Sequence, residues 1–514
     1  MRTKDLYVIL LIIVSIVLFF SITGTVTSGY HFVDDHEILR INNDLSKESF
    51  FTVTAKWIKS DLTIRFRPMF YLHRILVSKV FGNNFTAWSI YTIYLLFISL
   101  LCFYYGMRKL SYSTVESLCF IIIVFIGRQM AVWWRLGPAE TIGMFFLGLA
   151  FYSMTNCEKR YSLNTSLFCL FLICASLCKE SFNIIIPAFL IFKIWHEKDL
   201  YKLQAKEVFL KNRLLTVPFV VMLINLLIIV FVVGANKIGY AGISGGIVPL
   251  LKGILSIIKN QLTKYIIIGV IFFGGICFHL KNKKKLLLFL KNLIFPFAIC
   301  LLILVPNLII YAKSGMDERY RLPSFIGIAF FIVSIVKEAR FSSRNLSFIF
   351  LVIIVPFTLK PLYWSYASAS WFSYEGNQNK VFLSAILDNY KEPANVVLVT
   401  DPIASFERSI SLNTYLFLTK DIKLYVYPIP VPHSWGGWTD FRERLRTEWD
   451  TRFKQRMFSD MHGKPHMIIF LNKDLTVRFF SESGIEREKY LNILKEGIGY
   501  NIRGTGYAIF IENK

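Results

Sequence analysis

Long apolar segments separated by short basic loops constrain this chain more than any other feature. A helix needs ~20 apolar residues to cross ~30 Å of hydrocarbon. Hydrophobic residues make up 54% of the 514 residues, which is high for a soluble protein. About eleven segments fit a membrane span by length and composition, and they are 6–26, 87–106, 113–127, 138–155, 163–178, 182–195, 214–234, 263–279, 292–311, 320–336 and 346–360. The chain is therefore predicted to be a polytopic α-helical membrane protein.

We attribute the net charge of +24 to basic cytoplasmic loops of a membrane protein and not to a nucleic-acid-binding surface. If span 6–26 is a retained signal anchor with a cytoplasmic N-terminus, every second loop is basic, as cytoplasmic loops should be. Those loops contain Arg108-Lys109, Lys159-Arg160, segment 196–213, Lys281 to Lys285, and Lys337 to Arg344. No zinc-finger or helix-turn-helix pattern is present. We expect a multi-pass protein of the plasma or inner membrane.

The first outer loop is predicted to be long, from 27 to 86, and to contain interfacial helices. Segment 66–81 is apolar enough to suggest a span, but it carries Arg67, His73, Arg74 and Lys79. Such residues are costly in hydrocarbon and suit an amphipathic helix in the interface.

Residues 377–514 have short apolar runs instead of spans, at 396–399, 424–427, 467–471 and 507–511. Charged segments 440–458 and 484–496 alternate with these runs and are predicted to be helices. An odd number of spans places this part outside. The predicted organisation is a transmembrane module, 1–376, followed by an extracytoplasmic α/β domain, 377–514.

This topology collects the mixed-charge clusters on the outer face. Asp34, Asp35 and Glu37 can supply a general base, bind a metal, or lie in a solvated loop. Arg65 and Arg67 suit phosphate recognition, with snorkelling or anionic-lipid contact as the alternative.

Two further clusters carry the same ambiguity. Lys179-Glu180 joins two apolar segments and is either functional or a self-neutralising hairpin. Segment 317–321 either clamps phosphate through Arg319 and Arg321 or forms a structural ion-pair network. Glu140, at the start of a span, serves the site or the helix N-terminus. Substrate contacts are predicted for Arg135, Glu140, Glu180 and Tyr320.

The order of these features resembles the GT-C superfamily of integral-membrane glycosyltransferases over about residues 1–360. These proteins include the aminoarabinose transferases and protein O-mannosyltransferases. Asp34-Asp35 looks like the acidic motif of the family, and Arg65-Phe66-Arg67-Pro68 takes the place of its first-loop binding segment. Cys178-Lys179-Glu180, followed by Pro187, looks like the lysine turn near the donor phosphate.

The resemblance implies sugar transfer from a polyprenyl-phosphate donor to a hydroxyl of a glycan, lipid or protein outside the cell. Asp35, with Asp34 as the alternative and Glu37 as a helper, would be the base, and the anomeric centre would invert. Arg65, Arg67, Lys179, Arg319 or Arg321 would stabilise the departing phosphate. No cofactor is required, although a divalent metal is compatible with the residues. The alternatives are a lipid-linked glycan flippase or transporter and a non-catalytic cell-envelope assembly protein.

Overall fold

The computed structural model describes residues 3–156, 161–202, 204–234, 246–280, 283–313, 315–316, 318–342, 344–392, 394–431, 456–494 and 506–513. Its α-helices are α1 Thr3–Thr23, α2 His36–Leu45, α3 Phe50–Asp61, α4 Pro68–Phe81, α5 Phe85–Lys109, α6 Thr114–Phe125, α7 Ala139–Thr155, α8 Tyr161–Ser176, α9 Glu180–Asn183, α10 Ile186–Tyr201, α11 Ala205–Lys211, α12 Thr216–Leu227, α13 Ile247–Ile257, α14 Thr263–His279, α15 Lys283–Tyr311, α16 Ser324–Ser342, α17 Arg344–Asn389, α18 Phe406–Lys420 and α19 Leu475–Glu482.

Shorter turns join these helices. The π-helical turns are Ile228–Gly234 and Ile258–Leu262, and the 3-10 turns include Thr25–Thr27, Arg128–Trp133, Arg213–Leu215 and Glu318–Arg321. The strands are β1 Val396–Thr400, β2 Leu424–Pro428, β3 Met467–Phe470, β4 Tyr490–Asn492 and β5 Ala508–Glu512.

The described residues form two compact units. The helical unit comprises Met1–Ile22, Thr54–Arg74 and Ser89–Ala369, and the sheet unit comprises Thr23–Val53, Ile75–Trp88 and Ser370–Lys514. The sheet unit therefore includes much of the first predicted outer loop as well as the C-terminal part of the chain.

Each predicted span overlaps a helix within the described part of the chain. Five helical segments there are long and apolar enough to cross a membrane: Asp5–Thr23, Phe85–Lys109, Arg213–Gly234, Ile247–Cys277 and Lys283–Tyr311. A helical membrane protein is confirmed, and the count of about eleven spans stays a prediction.

The helical unit packs through aromatic side chains. Helix α7 packs on α8, α15 on α16, and α16 on α6. Phe192 lies at the centre of this core, with its ring centroid 4.7 Å from Phe330 and 5.9 Å from Phe151. Ser113 and Glu116 begin α6 with a reciprocal cap, in which the Ser113 N–H donates to Glu116 Oε2 over 2.7 Å.

Helix α4 confirms the predicted helix over 66–81, but Arg74 is not placed as expected for an interfacial helix. Leu72, Leu76 and Val80 form its exposed stripe. Arg74 is buried, and its Nη1 donates to the carbonyls of Leu136 and Gly137 over 3.4 and 3.2 Å. The helix therefore exposes apolar side chains and turns this arginine into the protein.

The sheet has the order β2-β1-β3-β5-β4, with β1, β2 and β3 parallel and β5 antiparallel to both neighbours. The four apolar runs predicted in this region all form strands. Strands β1 and β3 are buried along their whole length, as parallel strands covered on both faces should be.

One helix prediction in this unit is wrong. The described part of this segment, residues 484–494, contains a 3-10 turn, Arg487–Lys489, followed by strand β4. Strand β4 pairs antiparallel with β5 at the edge of the sheet, with Tyr490 opposite Glu512, and this pairing makes the stretch a strand and not a helix. Most of predicted helix 440–458 lies outside the described residues.

Candidate functional site

In the helical unit, Lys179 lies at the centre of a charged site built from four chain segments. It precedes the short helix α9, and its Nζ donates to Glu140 Oε1 at the start of α7. Both side chains are almost fully buried, at 3% and 2% exposure. A buried lysine is stable only when its charge is compensated, so this pair fixes the α7 and α9 ends to each other.

Aromatic rings and further cations surround this pair. Lys179 Nζ lies 4.7 Å from the ring centroid of Tyr320 and 6.0 Å from that of Tyr311. The pKa of Lys179 is lowered, mainly because the side chain is buried. Glu140 and Tyr320 raise this pKa, whereas the positive charges of Arg319 and Arg65 lower it further. The site therefore holds several cations in a poorly solvated place, where an anion gains most from them.

Arg67 has an internal partner that sequence reasoning missed. Its Nη2 donates to Asp61 Oδ1 over 2.7 Å, and its backbone N–H donates to Asp61 Oδ2 over 2.9 Å. The guanidinium also lies 5.0 Å from the ring centroid of Phe70. Asp61 thus closes the turn before α4, and Arg67 has a structural role beside the predicted phosphate contact. Glu180 acts electrostatically on Arg67.

Three of the predicted site residues, Arg319, Tyr320 and Arg321, lie in the turn Glu318–Arg321, and Arg135 contacts this turn. Arg135 Nη1 forms an ion pair with Glu318 Oε2 at 3.1 Å, with both side chains partly exposed. The Arg319 guanidinium lies 5.4 Å from the Tyr320 ring centroid, and the Arg321 guanidinium lies 5.8 Å from the Phe325 ring centroid. The phosphate clamp predicted for the two arginines stays a prediction.

The acidic candidates belong to the sheet unit, at the start of α2. Asp35 is 1% exposed, and its Oδ2 accepts the backbone N–H of His31 over 2.9 Å and lies 3.5 Å from His31 Nδ1. The His31 ring stacks on Phe372 with centroids 3.6 Å apart, and its Nε2 lies 3.1 Å from the Phe372 carbonyl oxygen. Asp35 is therefore held inside the protein by its own turn.

Asp34 differs from Asp35 in both backbone and exposure. Its φ of 66° is left-handed, a conformation that Asp tolerates better than most residues. Its side chain is half-buried, as is that of Glu37. Behind this turn, His36 Nδ1 lies 2.8 Å from Ser411 Oγ on α18. A residue held in left-handed backbone is a candidate for a functional role.

The structure thus brings Arg65, Lys179, Glu140, Arg319 and Tyr320 together in one site of the helical unit, while Arg67 pairs with Asp61. Asp34, Asp35 and Glu37 form a separate turn of the sheet unit. Across the described ranges, no group of three His, Cys, Asp or Glu side chains is arranged to hold a metal. Sequence reasoning missed Asp61 and Tyr311, which carry no motif.

No family model and no curated protein sequence matches the chain. Among solved structures, it is similar to ArnT from Cupriavidus metallidurans bound to undecaprenyl phosphate. The two share 9% sequence identity with a TM-score of 0.50, over 99% of this chain and 98% of that chain. ArnT is a GT-C aminoarabinose transferase, so the expected resemblance is confirmed at the level of the fold.

Proposed function

We propose that this protein is a GT-C-type glycosyltransferase that takes its sugar from a polyprenyl-phosphate donor. The observation that carries the proposal is the buried Lys179–Glu140 pair, with Arg65 and Arg319 acting on the same lysine. Lys179 and Arg319 both act on the Glu140 carboxylate, and Arg65 acts on Lys179. A phosphate is an anion that such a group of lysine and arginine side chains can bind.

The likeness to ArnT supports the choice of anion. That protein has the same fold and was crystallised with undecaprenyl phosphate. A fold alone does not assign an activity, but a fold and a cationic site together favour a polyprenyl phosphate over other anions. We propose that the donor phosphate is held by Lys179, Arg65 and Arg319, with Tyr320 beside it.

The proposed step is a direct displacement at the anomeric carbon. The acceptor hydroxyl oxygen forms the new glycosidic bond and gives its proton to a carboxylate. The bond between the anomeric carbon and the phosphate oxygen breaks, and the polyprenyl phosphate leaves with the electron pair. Attack and departure occur on opposite faces, so the centre inverts. Cations that bind the leaving phosphate more strongly as its charge grows would accelerate this step.

We assign the base to Asp34, with Glu37 as a second candidate. Asp35 is buried and paired with His31, whereas Asp34 is partly exposed in left-handed backbone. A base must reach the acceptor and lose its proton to water, which suits the more exposed carboxylate. The acceptor is proposed to be an extracytoplasmic glycan, lipid or protein hydroxyl.

The test uses purified full-length protein with a panel of polyprenyl-phosphate sugars, and mass spectrometry detects sugar transfer. The double variant Lys179→Gln/Glu140→Gln removes the charges without leaving one of them buried alone. We expect its kcat/KM to fall about 100-fold, while the exposed Lys59→Gln variant keeps the wild-type value.

Two results would overturn the proposal. One is full transfer by the double variant at unchanged thermal stability. The other is wild-type protein that turns over no donor in the panel. The same assay after chelation shows whether a divalent metal assists the transfer.

A further inference from the structure

The acidic turn, Asp34 to Glu37, is enclosed on both sides by the core of the sheet unit. Tyr30 and Phe32 precede the turn and Leu39 follows it in α2, and all three belong to the same buried core as residues of β1, β3 and β5. Helix α18, which connects β1 to β2, packs on α2. The position of the turn is therefore tied to the C-terminal sheet.

Ser411 of α18 contacts both sides of this turn. Its backbone carbonyl oxygen accepts the hydroxyl of Tyr30 over 2.9 Å, and its Oγ lies 2.8 Å from Nδ1 of His36. Tyr30 lies four residues before Asp34, and His36 lies two residues after it. These two contacts, which we call the Ser411 link, connect one residue of the C-terminal part to both sides of the candidate base.

The Ser411 link is shielded from water. Ser411 is fully buried, and Tyr30 is 6% exposed. A buried hydrogen bond is hard to break, because the groups that lose their partner find no water to replace it. The link is therefore suited to holding the turn in one geometry.

A second set of contacts supports the chain before the turn. The Tyr507 hydroxyl donates to Asn379 Oδ1 over 3.0 Å, and Asn379 Nδ2 donates to the Tyr30 carbonyl oxygen over 3.4 Å. The ring centroids of Tyr507 and Phe32 lie 6.0 Å apart. Tyr507 immediately precedes β5, and Asn379 lies on α17, so the sheet and α17 both fix this stretch of backbone.

The backbone of the turn transmits this support to Asp34. The Glu37 N–H donates to the Asp34 carbonyl oxygen over 3.1 Å, and the Ile38 N–H donates to that of Asp35 over 3.0 Å. The φ of 66° at Asp34 belongs to a conformation that a non-glycine residue keeps only when its surroundings enforce it. The contacts on both sides of Asp34 supply that constraint.

We propose that Ser411 is a positioning residue for sugar transfer, which holds the acidic turn so that Asp34 can reach the acceptor hydroxyl. This inference rests on the proposed function and gives residues 377–514 a role in it. A base works only from the correct place, and a displacement of ~1 Å can slow a reaction about 100-fold. Ser411 acts through Tyr30 and His36 and not on the substrate.

The test compares two serine variants of the purified full-length protein. Ser411→Ala removes the hydroxyl beside His36. Ser409→Ala is the matched control, because it removes another fully buried hydroxyl of α18, which contacts Thr400 Oγ1 and the Ser405 carbonyl oxygen. Both variants lose a buried hydrogen bond and should melt below the wild type by similar amounts.

The transfer assay separates the two variants. Ser411→Ala should lower kcat about tenfold, because the base is displaced. Its KM for the donor should not change, because the proposed phosphate site lies in the helical unit. Ser409→Ala should keep the wild-type kcat and KM.

Hydrogen–deuterium exchange reports on the turn without any need for activity. The backbone amides of residues 34–40 should exchange about fivefold faster in Ser411→Ala than in the wild type, because opening the turn no longer breaks the contact with His36. Ser409→Ala should leave this exchange unchanged. Tyr30→Phe removes the other contact of the Ser411 link and should act in the same direction as Ser411→Ala.

His36 variants test the same contact from the other side. His36→Leu removes the ring nitrogen and should match Ser411→Ala in kcat. The double variant should be no slower than the slower single variant, because both changes delete one contact. His36→Asn keeps a polar atom near the position of Nδ1 and should recover most of the lost activity.

Equal exchange and equal kcat in Ser411→Ala and Ser409→Ala would overturn the proposal. So would faster exchange in Ser411→Ala with a wild-type kcat, because transfer would then not depend on the Ser411 link. If the wild type transfers no sugar but exchange still separates the two variants, the proposed function fails and the hold of Ser411 on the acidic turn stands.

Discussion

Asp34 and Asp35 are adjacent in sequence but occupy different environments. Asp35 is buried and accepts the backbone N–H of His31, whereas Asp34 is half-buried in left-handed backbone. The two carboxylates look equivalent in the sequence, but we propose a structural role for Asp35 and a catalytic role for Asp34.

The two asparagine variants should separate these tasks. Asp35→Asn weakens the contact with His31, so its melting temperature should fall clearly, because a buried hydrogen-bonded charge is lost. Asp34→Asn should melt like the wild type but lose about 100-fold to 10,000-fold in kcat. Differential scanning fluorimetry and the transfer assay measure both quantities. The opposite pattern would assign the base to Asp35.

Lys179 gives the site a defined pH dependence. Burial lowers its pKa below that of an ordinary lysine, so its ammonium is lost at lower pH than usual. Phosphate binding needs the charged form, and kcat/KM should therefore decline as pH rises through this lowered pKa. An arginine at this position stays charged. In a pH profile of kcat/KM, the Lys179→Arg variant should keep its activity to higher pH than the wild type. Coincident profiles would count against phosphate binding by the charged form of Lys179.

At the scale of elements, the acidic turn depends on a close approach of α17. A Cβ added to Gly376 would lie 2.5 Å from His31 Nε2 and 2.5 Å from the Ser28 carbonyl oxygen. Only glycine leaves room for the histidine that holds Asp35.

Gly376→Ala should therefore displace His31 and destabilise the protein by about 1–3 kcal/mol. Gly269→Ala is the matched control, because a Cβ there meets nothing within 4 Å and the residue lies inside α14. The control should be neutral or slightly stabilising. Thermal melts of the two variants test this prediction. Equal melting temperatures would show that His31 can move to make room for the added methyl group at position 376.

Most elements could be predicted from the sequence. Each apolar segment became a helix, and the runs at 396–399 and 467–471 became buried strands, because hydrophobic length and β-branching act locally. Within segment 484–496, residues Tyr490–Asn492 form strand β4 because β5 offers them an antiparallel partner, with Tyr490 opposite Glu512. That pairing is a tertiary effect and overrides local helix preference.

For the whole molecule, the charge pattern of the loops predicts which face each segment reaches. Lys284 lies in a predicted cytoplasmic loop and Ala404 in the predicted outer part, and both are exposed. In a variant without native cysteines, Ala404→Cys should react with a membrane-impermeant maleimide in intact cells. Lys284→Cys should react only after permeabilisation. Outside labelling at Lys284 would invert the topology.

The sequence by itself determined the membrane class, the helices and the face on which the mixed-charge clusters were expected, because hydrocarbon thickness and loop charge act along the chain. The tertiary structure alone decided which charges meet. Lys179 pairs with Glu140 from another segment, and Arg67 pairs with Asp61 across the turn before α4. The physical reason is that burial makes each charge depend on partners brought by packing, and spacing along the chain does not encode them.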